Sequence, residues 1–188
     1  MSAPKFLPTL TEQLDDIRVT LFHARLCSEL WRTLNLEHPQ RKRIVYTFNR
    51  YVSFFEAVTP ALWVTFVVKL ASLFGTSADE ITLANIQEFK VQPVYNDIWE
   101  RGRRLYRLRS KEIAHRDSQV GSENYAQQSG FTYNDLKTLI DDTCALFDSV
   151  VQPLGFDGIP KVTCADDLLA IVFELSRDFC NEDQTQSR

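Results

Sequence analysis

Within the stretch WERGRRLYRLRSKEIAHRD, residues 99–117, three side chains are spaced for acid–base work on a phosphate: Arg109, Glu112 and His115. If the segment is helical, each residue turns by about 100°. Arg109 and His115 then stand ~120° and ~9 Å apart, with Glu112 midway, three residues from each. Arg109 keeps its charge at any physiological pH and can hold a phosphate oxygen pair. His115 changes charge near neutrality, which suits it to take or give a proton. Glu112 can bridge the two and fix their orientation.

The surroundings are strongly basic. Residues 101–116 hold seven Arg or Lys and one acid. That local +6 sits in a chain of net −4, so the remainder carries −10. On a helix Arg103 and Arg104 both come within one turn of Arg107, and like charges at that spacing repel by a few tenths of a kcal/mol each. A solvated helix usually alternates its signs, so this concentration points to a polyanionic partner, and phosphate backbones are the commonest polyanions in a cell. The same arginines have a structural reading. The stems of Arg101, Arg103 and Arg104 can cover apolar surface, and acids elsewhere can pair with their heads across the fold.

The elements that must position these residues read as helices throughout. Apolar residues recur every three or four positions. Leu14, Ile17, Leu21, Ala24, Leu30, Trp31 and Leu34 predict a helix from about Leu10 to Leu36, with Glu12, Asp15 and Asp16 in its first turns. Pro39 ends that run in the turn EHPQRKR, where His38 and Arg41–Lys42–Arg43 form a polar, basic turn. A second helical stretch covers about Gln40 to Phe74, kinked or restarted at Pro60, with Gly75 as its C-terminal cap. Ser77 and Glu80 have capping-box spacing and predict a short helix ending before Pro93. The basic helix runs from Val94 to about His115. RDSQVGSENYAQQSG is polar loop, Thr132 and Asp135 open another helix, QPLGFDGIPKV is a Pro/Gly loop, and Thr163 with Asp166 opens the last helix before the tail NEDQTQSR. With no strand pair and no internal repeat, this is an all-α single domain of about six helices, ordered over residues 9–180, with a polar tail at 181–188.

Arg109–Ser110–Lys111–Glu112–Ile113–Ala114–His115 has the R-x(4–6)-H form that ends the third main helix of HEPN domains (higher eukaryotes and prokaryotes nucleotide-binding). LRSKEIAHRD resembles the LRN…AHRD segment of the abortive-infection U-type bacterial subfamily, whose members are small all-helical proteins of this size. The motif-level likeness covers roughly residues 105–117. It implies an up-and-down helical bundle, a homodimer, and a metal-independent endoribonuclease of toxin or phage-defence systems, with RNA as substrate and an antitoxin protein as a further partner. His115 would be general base or acid, Arg109 would stabilise the phosphorane, and Glu112 and Ser110 would complete the site. Arg103, Arg104, Arg107, Lys111 and Arg116 would hold the RNA backbone. Ser110 departs from the Asn, Asp or His common at that position. The alternative is a catalytically silent HEPN-like module that binds RNA, nucleotide or a partner protein. An unrelated helical adaptor docking an acidic protein is a third reading.

Other constellations have structural explanations. Of three acidic pairs, Asp15–Asp16, Asp141–Asp142 and Asp166–Asp167, the first and the last fall in first turns, where negative charge suits the helix dipole. Glu56, on the Phe-rich FFEAVTP, wants a cationic partner such as an arginine of the basic helix. The aromatic run TFNRYVSFF reads as core, and His23 carries no signal. Cys27, Cys144, Cys164 and Cys180 have no metal-ligand or paired spacing, which argues for reduced thiols, no zinc and a cytoplasmic setting. No cofactor motif is present: there is no P-loop, G-x-G-x-x-G or G-x-S-x-G. The N-terminus lacks the apolar core of a signal peptide. The greasy run Val58–Val68 is eleven residues, short of the ~20 that a membrane span needs, so no membrane partner is expected.

Overall fold

Two helix starts in this chain are fixed by reciprocal hydrogen bonds between a threonine and an acid three residues on. The Glu12 N–H donates to the Thr9 hydroxyl at 3.3 Å, and the Thr9 N–H donates to the Glu12 carboxylate at 2.7 Å. Thr132 and Asp135 repeat the arrangement at 2.8 and 3.1 Å, as their spacing predicts. Each box satisfies backbone donors that a helix end otherwise leaves open. The threonine N–H, followed by its hydroxyl, holds both carboxyls below their ordinary range.

The computed structural model describes residues 8–35, 41–77, 80–113 and 130–176, without the side chains of residues 110–113 and Cys164. Every regular element among them is helical: α1 (Leu10–Asn35), α2 (Arg41–Arg50), α3 (Val52–Ser72), a 3-10 turn (Leu83–Asn85), α4 (Gln87–Lys90), α5 (Tyr95–Ile113), α6 (Tyr133–Val151), a second 3-10 turn (Gln152–Leu154) and α7 (Cys164–Leu175). The all-α expectation therefore holds, with seven α-helices among the described residues. The chain groups into two compact units, one of residues up to Ala24 with Val67–Pro160, the other of Arg25–Phe66 with residues from Lys161 on. Helices α1 and α3 contribute to both.

The first unit holds the basic helix. Its core takes Leu14, Ile17, Leu21 and Ala24 from α1, at the three- and four-residue spacing of one helix face. Leu70, Leu73 and Phe74 come from α3 and the turn after it, and Leu139, Ile140, Phe147 and Val151 from α6. Phe89 of α4 stacks on Phe147 with centroids 6.2 Å apart. α5 packs on α4 and α6.

In the second unit Trp31 meets Trp63 at 4.8 Å, and Phe48 stacks on Phe55 at 4.1 Å. The buried Thr47 hydroxyl bonds the Arg43 carbonyl at 2.9 Å and the Val172 carbonyl at 3.3 Å, tying α2 to α7. The TFNRYVSFF run is thus only partly core, since Phe54 of the same run is 60% exposed.

Several expectations need correction. Arg41–Lys42–Arg43 is not a turn but the first turn of α2. Positive charge there opposes the helix dipole. It is offset by Arg41, which donates to the Leu34 carbonyl at 2.6 Å, and by Arg43, 5.0 Å over the Phe173 ring. Pro60 does not restart a helix; α3 runs through it, and the break falls at Tyr51. A helix-interior proline costs about 3 kcal/mol. Phe55 before it and Trp63, Phe66 and Leu70 after it are all buried, at roughly 1.5–3 kcal/mol each, which outweighs that cost.

The box expected at Ser77 and Glu80 opens no helix. The Leu83 N–H is committed to the Leu73 carbonyl at 3.0 Å, and the Ser77 carbonyl accepts from the Asn85 side chain at 3.2 Å, so helical turns begin only at Leu83. Thr163 precedes α7 as expected, but its side chain makes no capping bond; the Asp166 N–H goes to its carbonyl at 3.2 Å. Asp15 lies past the first turn and pairs with Arg18 at 2.6 Å. Glu56 is exposed and so needs no buried partner.

Because α3 is unbroken, the eleven-residue apolar run lies within a helix of 21 residues. An 18-residue window has mean hydropathy 1.5 and is 33% buried, so α3 is long and apolar enough to cross a membrane by length and composition. A core helix meets the same two conditions. His38, Cys180, the 116–129 loop and the polar tail lie outside the described residues.

Candidate functional site

Helix α5 is registered against the end of α3 by a glycine. Gly102 is buried with the Phe74 ring directly against it, leaving no room for a Cβ. At the buried Gly75 a Cβ would run into the Glu80 carboxylate first, and would stand 3.3 Å from the Thr82 methyl and 3.4 Å from the Tyr106 ring edge. Between these contacts the Arg103 guanidinium donates to the Phe74 carbonyl at 3.0 Å, satisfying an acceptor just past the α3 end. Tyr95, Ile98, Gly102 and Leu105 form the buried stripe of α5. Burial raises the Tyr95 hydroxyl pKa.

This register sorts the arginines. Arg101 pairs with Asp97 at 2.8 Å and with Asp142 of α6 at 2.7 Å, while its buried Nε has no hydrogen-bond partner among the described residues. Arg103 stacks over both Trp99 at 5.7 Å and Tyr106 at 5.2 Å. Arg104, although exposed, lies 5.6 Å over Phe131. Arg107 points to solvent and has no ion pair or hydrogen bond among the described residues.

Arg109 is placed differently. It follows Leu105 by four residues, Gly102 by seven and Ile98 by eleven, so it continues the buried stripe toward the C-terminal end of α5. Its guanidinium is half-buried and lies 5.9 Å over the Tyr106 ring. Like-charge repulsion along α5 is thus relieved by rings set between cations: Tyr95 stacks on Trp99 at 5.8 Å, then Arg103, Tyr106 and Arg109 follow on the same side.

Ser110, Lys111 and Glu112 lie in the last turn of α5 as backbone; His115 and Arg116 lie outside the described residues. Arg103 and Arg101, expected as phosphate-facing or structural, are both engaged within the fold. Trp99, Gly102 and Tyr106 went unread as site residues, although the signal was present: a glycine inside a helix, and aromatics three or four residues from each of two arginines. A cavity of about 290 Å³ opens elsewhere, between the start of α1 and the loop after α6, lined by Leu14, Asp15, Arg18, Phe147, Phe156 and Asp157. None of the α5 candidates lines it. Among the described residues no group of three or more His, Cys, Asp or Glu is arranged to hold a metal ion.

No protein-family model, curated protein or solved structure matches this chain.

Proposed function

We propose that this chain is a metal-independent endoribonuclease of the HEPN type, acting as a homodimer in toxin or phage defence, with RNA bound along α5. The observation that carries the reading is the placement of Arg109. Of the arginines on α5, it extends the buried stripe, is backed by an aromatic ring, and stands six residues before His115. A solvated helix has no reason to hold a cation there, whereas a phosphate site requires one held in place.

In this reading His115 takes the proton of a ribose 2′-hydroxyl, and that oxygen attacks the adjoining phosphorus. The bond from phosphorus to the 5′-oxygen breaks, and the imidazolium returns a proton to the leaving oxygen. The products are a 2′,3′-cyclic phosphate and a 5′-hydroxyl. Arg109 stabilises the charge that gathers on the phosphorane oxygens, and Glu112 and Ser110 orient the pair. Arg107, Lys111 and Arg116 carry the backbone contacts, with Arg104 beside them.

The test is purified protein with total bacterial RNA in EDTA, beside Arg109→Ala and His115→Ala. The wild type should cleave, and each variant should lose at least about 10²-fold while keeping its helical circular dichroism. Ser110 favours a second reading, the silent module, which predicts salt-sensitive RNA binding without cleavage. If neither RNA effect appears and α5 variants abolish capture of an acidic protein, the adaptor reading stands instead.

A further inference from the structure

We infer that Tyr106 is the positioning residue for Arg109, holding its guanidinium in one place at the end of α5; this rests on the ribonuclease reading for its purpose, though not for its geometry. The Tyr106 ring is itself immobilised. Its edge lies within van der Waals reach of the place a Cβ on Gly75 would take, where the buried Thr82 methyl also stands. The Arg103 guanidinium lies 5.2 Å from its centroid, and Arg103 is anchored in turn by its bond to the Phe74 carbonyl at 3.0 Å. The chain of fixed groups therefore runs from the α3 end through Arg103 to Tyr106, and ends at Arg109, 5.9 Å from the same ring.

A free arginine at a helix end samples many rotamers, and a phosphate site that relies on it must freeze them at each turnover. A ring face already occupied by the guanidinium removes most of that ordering, because the cation is attracted to the π-system while its N–H edges stay free for oxygen. Tyr106 touches no reacting atom in this scheme; it acts through Arg109.

The test reads Arg109 directly. In ¹⁵N-arginine NMR, with the resonance assigned through Arg109→Lys, the Arg109 side-chain protons of the wild-type protein should be shifted upfield by the Tyr106 ring, and its Nε should be as ordered as the backbone. Tyr106→Leu, or Tyr106→Met should the leucine variant not fold, should remove the shift and leave Nε mobile. Tyr106→Phe should preserve both. Ordinary, unshifted Arg109 protons in the wild type, or an Nε equally ordered in Tyr106→Leu, would overturn the inference. RNA cleavage should fall roughly tenfold in Tyr106→Leu and recover in Tyr106→Phe. An intact NMR signature in a protein that cleaves no RNA would remove the ribonuclease reading and leave the positioning role standing.

Discussion

Arg109 lies over the face of Tyr106, 5.9 Å from the ring centre, on the buried side of α5. Arg107, two residues earlier, points the opposite way into solvent. Two arginines of one basic run thus stand in different surroundings, one against an aromatic ring and one exposed to solvent.

Gly102→Ala should destabilise the protein. Alanine improves helix propensity by about 1 kcal/mol over glycine. The new methyl would run into the Phe74 ring, which is fully buried and cannot swing aside. Overpacking of that kind costs roughly 1–3 kcal/mol or more, so the steric term wins. Urea unfolding should show a lower midpoint with an unchanged slope, and a rise in midpoint would contradict the packing described for α5.

Arg107→Gln and Arg101→Gln should fail in different assays. Removing Arg107 should leave stability within about 0.5 kcal/mol and lower the magnitude of the salt slope of RNA binding by about 1. Removing Arg101 takes away bridges to Asp97 and Asp142, whose side chains are 75% and 42% exposed. Those carboxylates can turn to water, which limits the loss to about 1 kcal/mol of stability. The salt slope should hardly move. Equal effects on RNA binding would show that the fold does not sort these arginines.

The capping boxes should make the protein acid-sensitive. The Glu12 and Asp135 carboxyls are held below their ordinary values by the threonine N–H and hydroxyl. A lowered folded-state pKa means stability that is fully present above the unfolded-state value near about 4 and is lost as pH falls through the lowered one. Thr132→Ala removes the hydroxyl from one box and should cost about 1 kcal/mol at neutral pH. Its stability should then fall less steeply below pH ~4 than that of the wild type. A parallel acid limb in the two proteins would mean that the Thr132 hydroxyl has no part in lowering Asp135.

Helix periodicity was readable wherever one face of the helix is buried. Leu14, Ile17, Leu21 and Ala24 announce α1, and Thr132 with Asp135 announces the start of α6. Two of the misreadings share a cause: a local signal was outweighed by packing or bonding elsewhere in the fold. Pro60 reads as a break, yet buried aromatics on both sides of it hold α3 together. Ser77 reads as a cap, yet Leu83 is already bonded to Leu73. The candidate site was legible as a motif but not as a geometry. Nothing in the spacing of Arg101, Arg103, Arg107 and Arg109 says which of them meets Asp142, Phe74, solvent or Tyr106. That sorting depends on Gly102 fitting against Phe74, a contact 28 residues apart in sequence.

Cleavage by internal attack of a ribose hydroxyl leaves its signature in the chemistry of the cut ends. A defined RNA oligonucleotide and its fully 2′-O-methylated counterpart would be incubated with the protein in EDTA, and the products weighed by mass spectrometry. The account predicts 2′,3′-cyclic phosphate and 5′-hydroxyl ends from the RNA, an intact methylated strand, and no products from either oligonucleotide with His115→Ala. Products with 5′-phosphate ends, cleavage of the methylated strand, or an uncut RNA would contradict it.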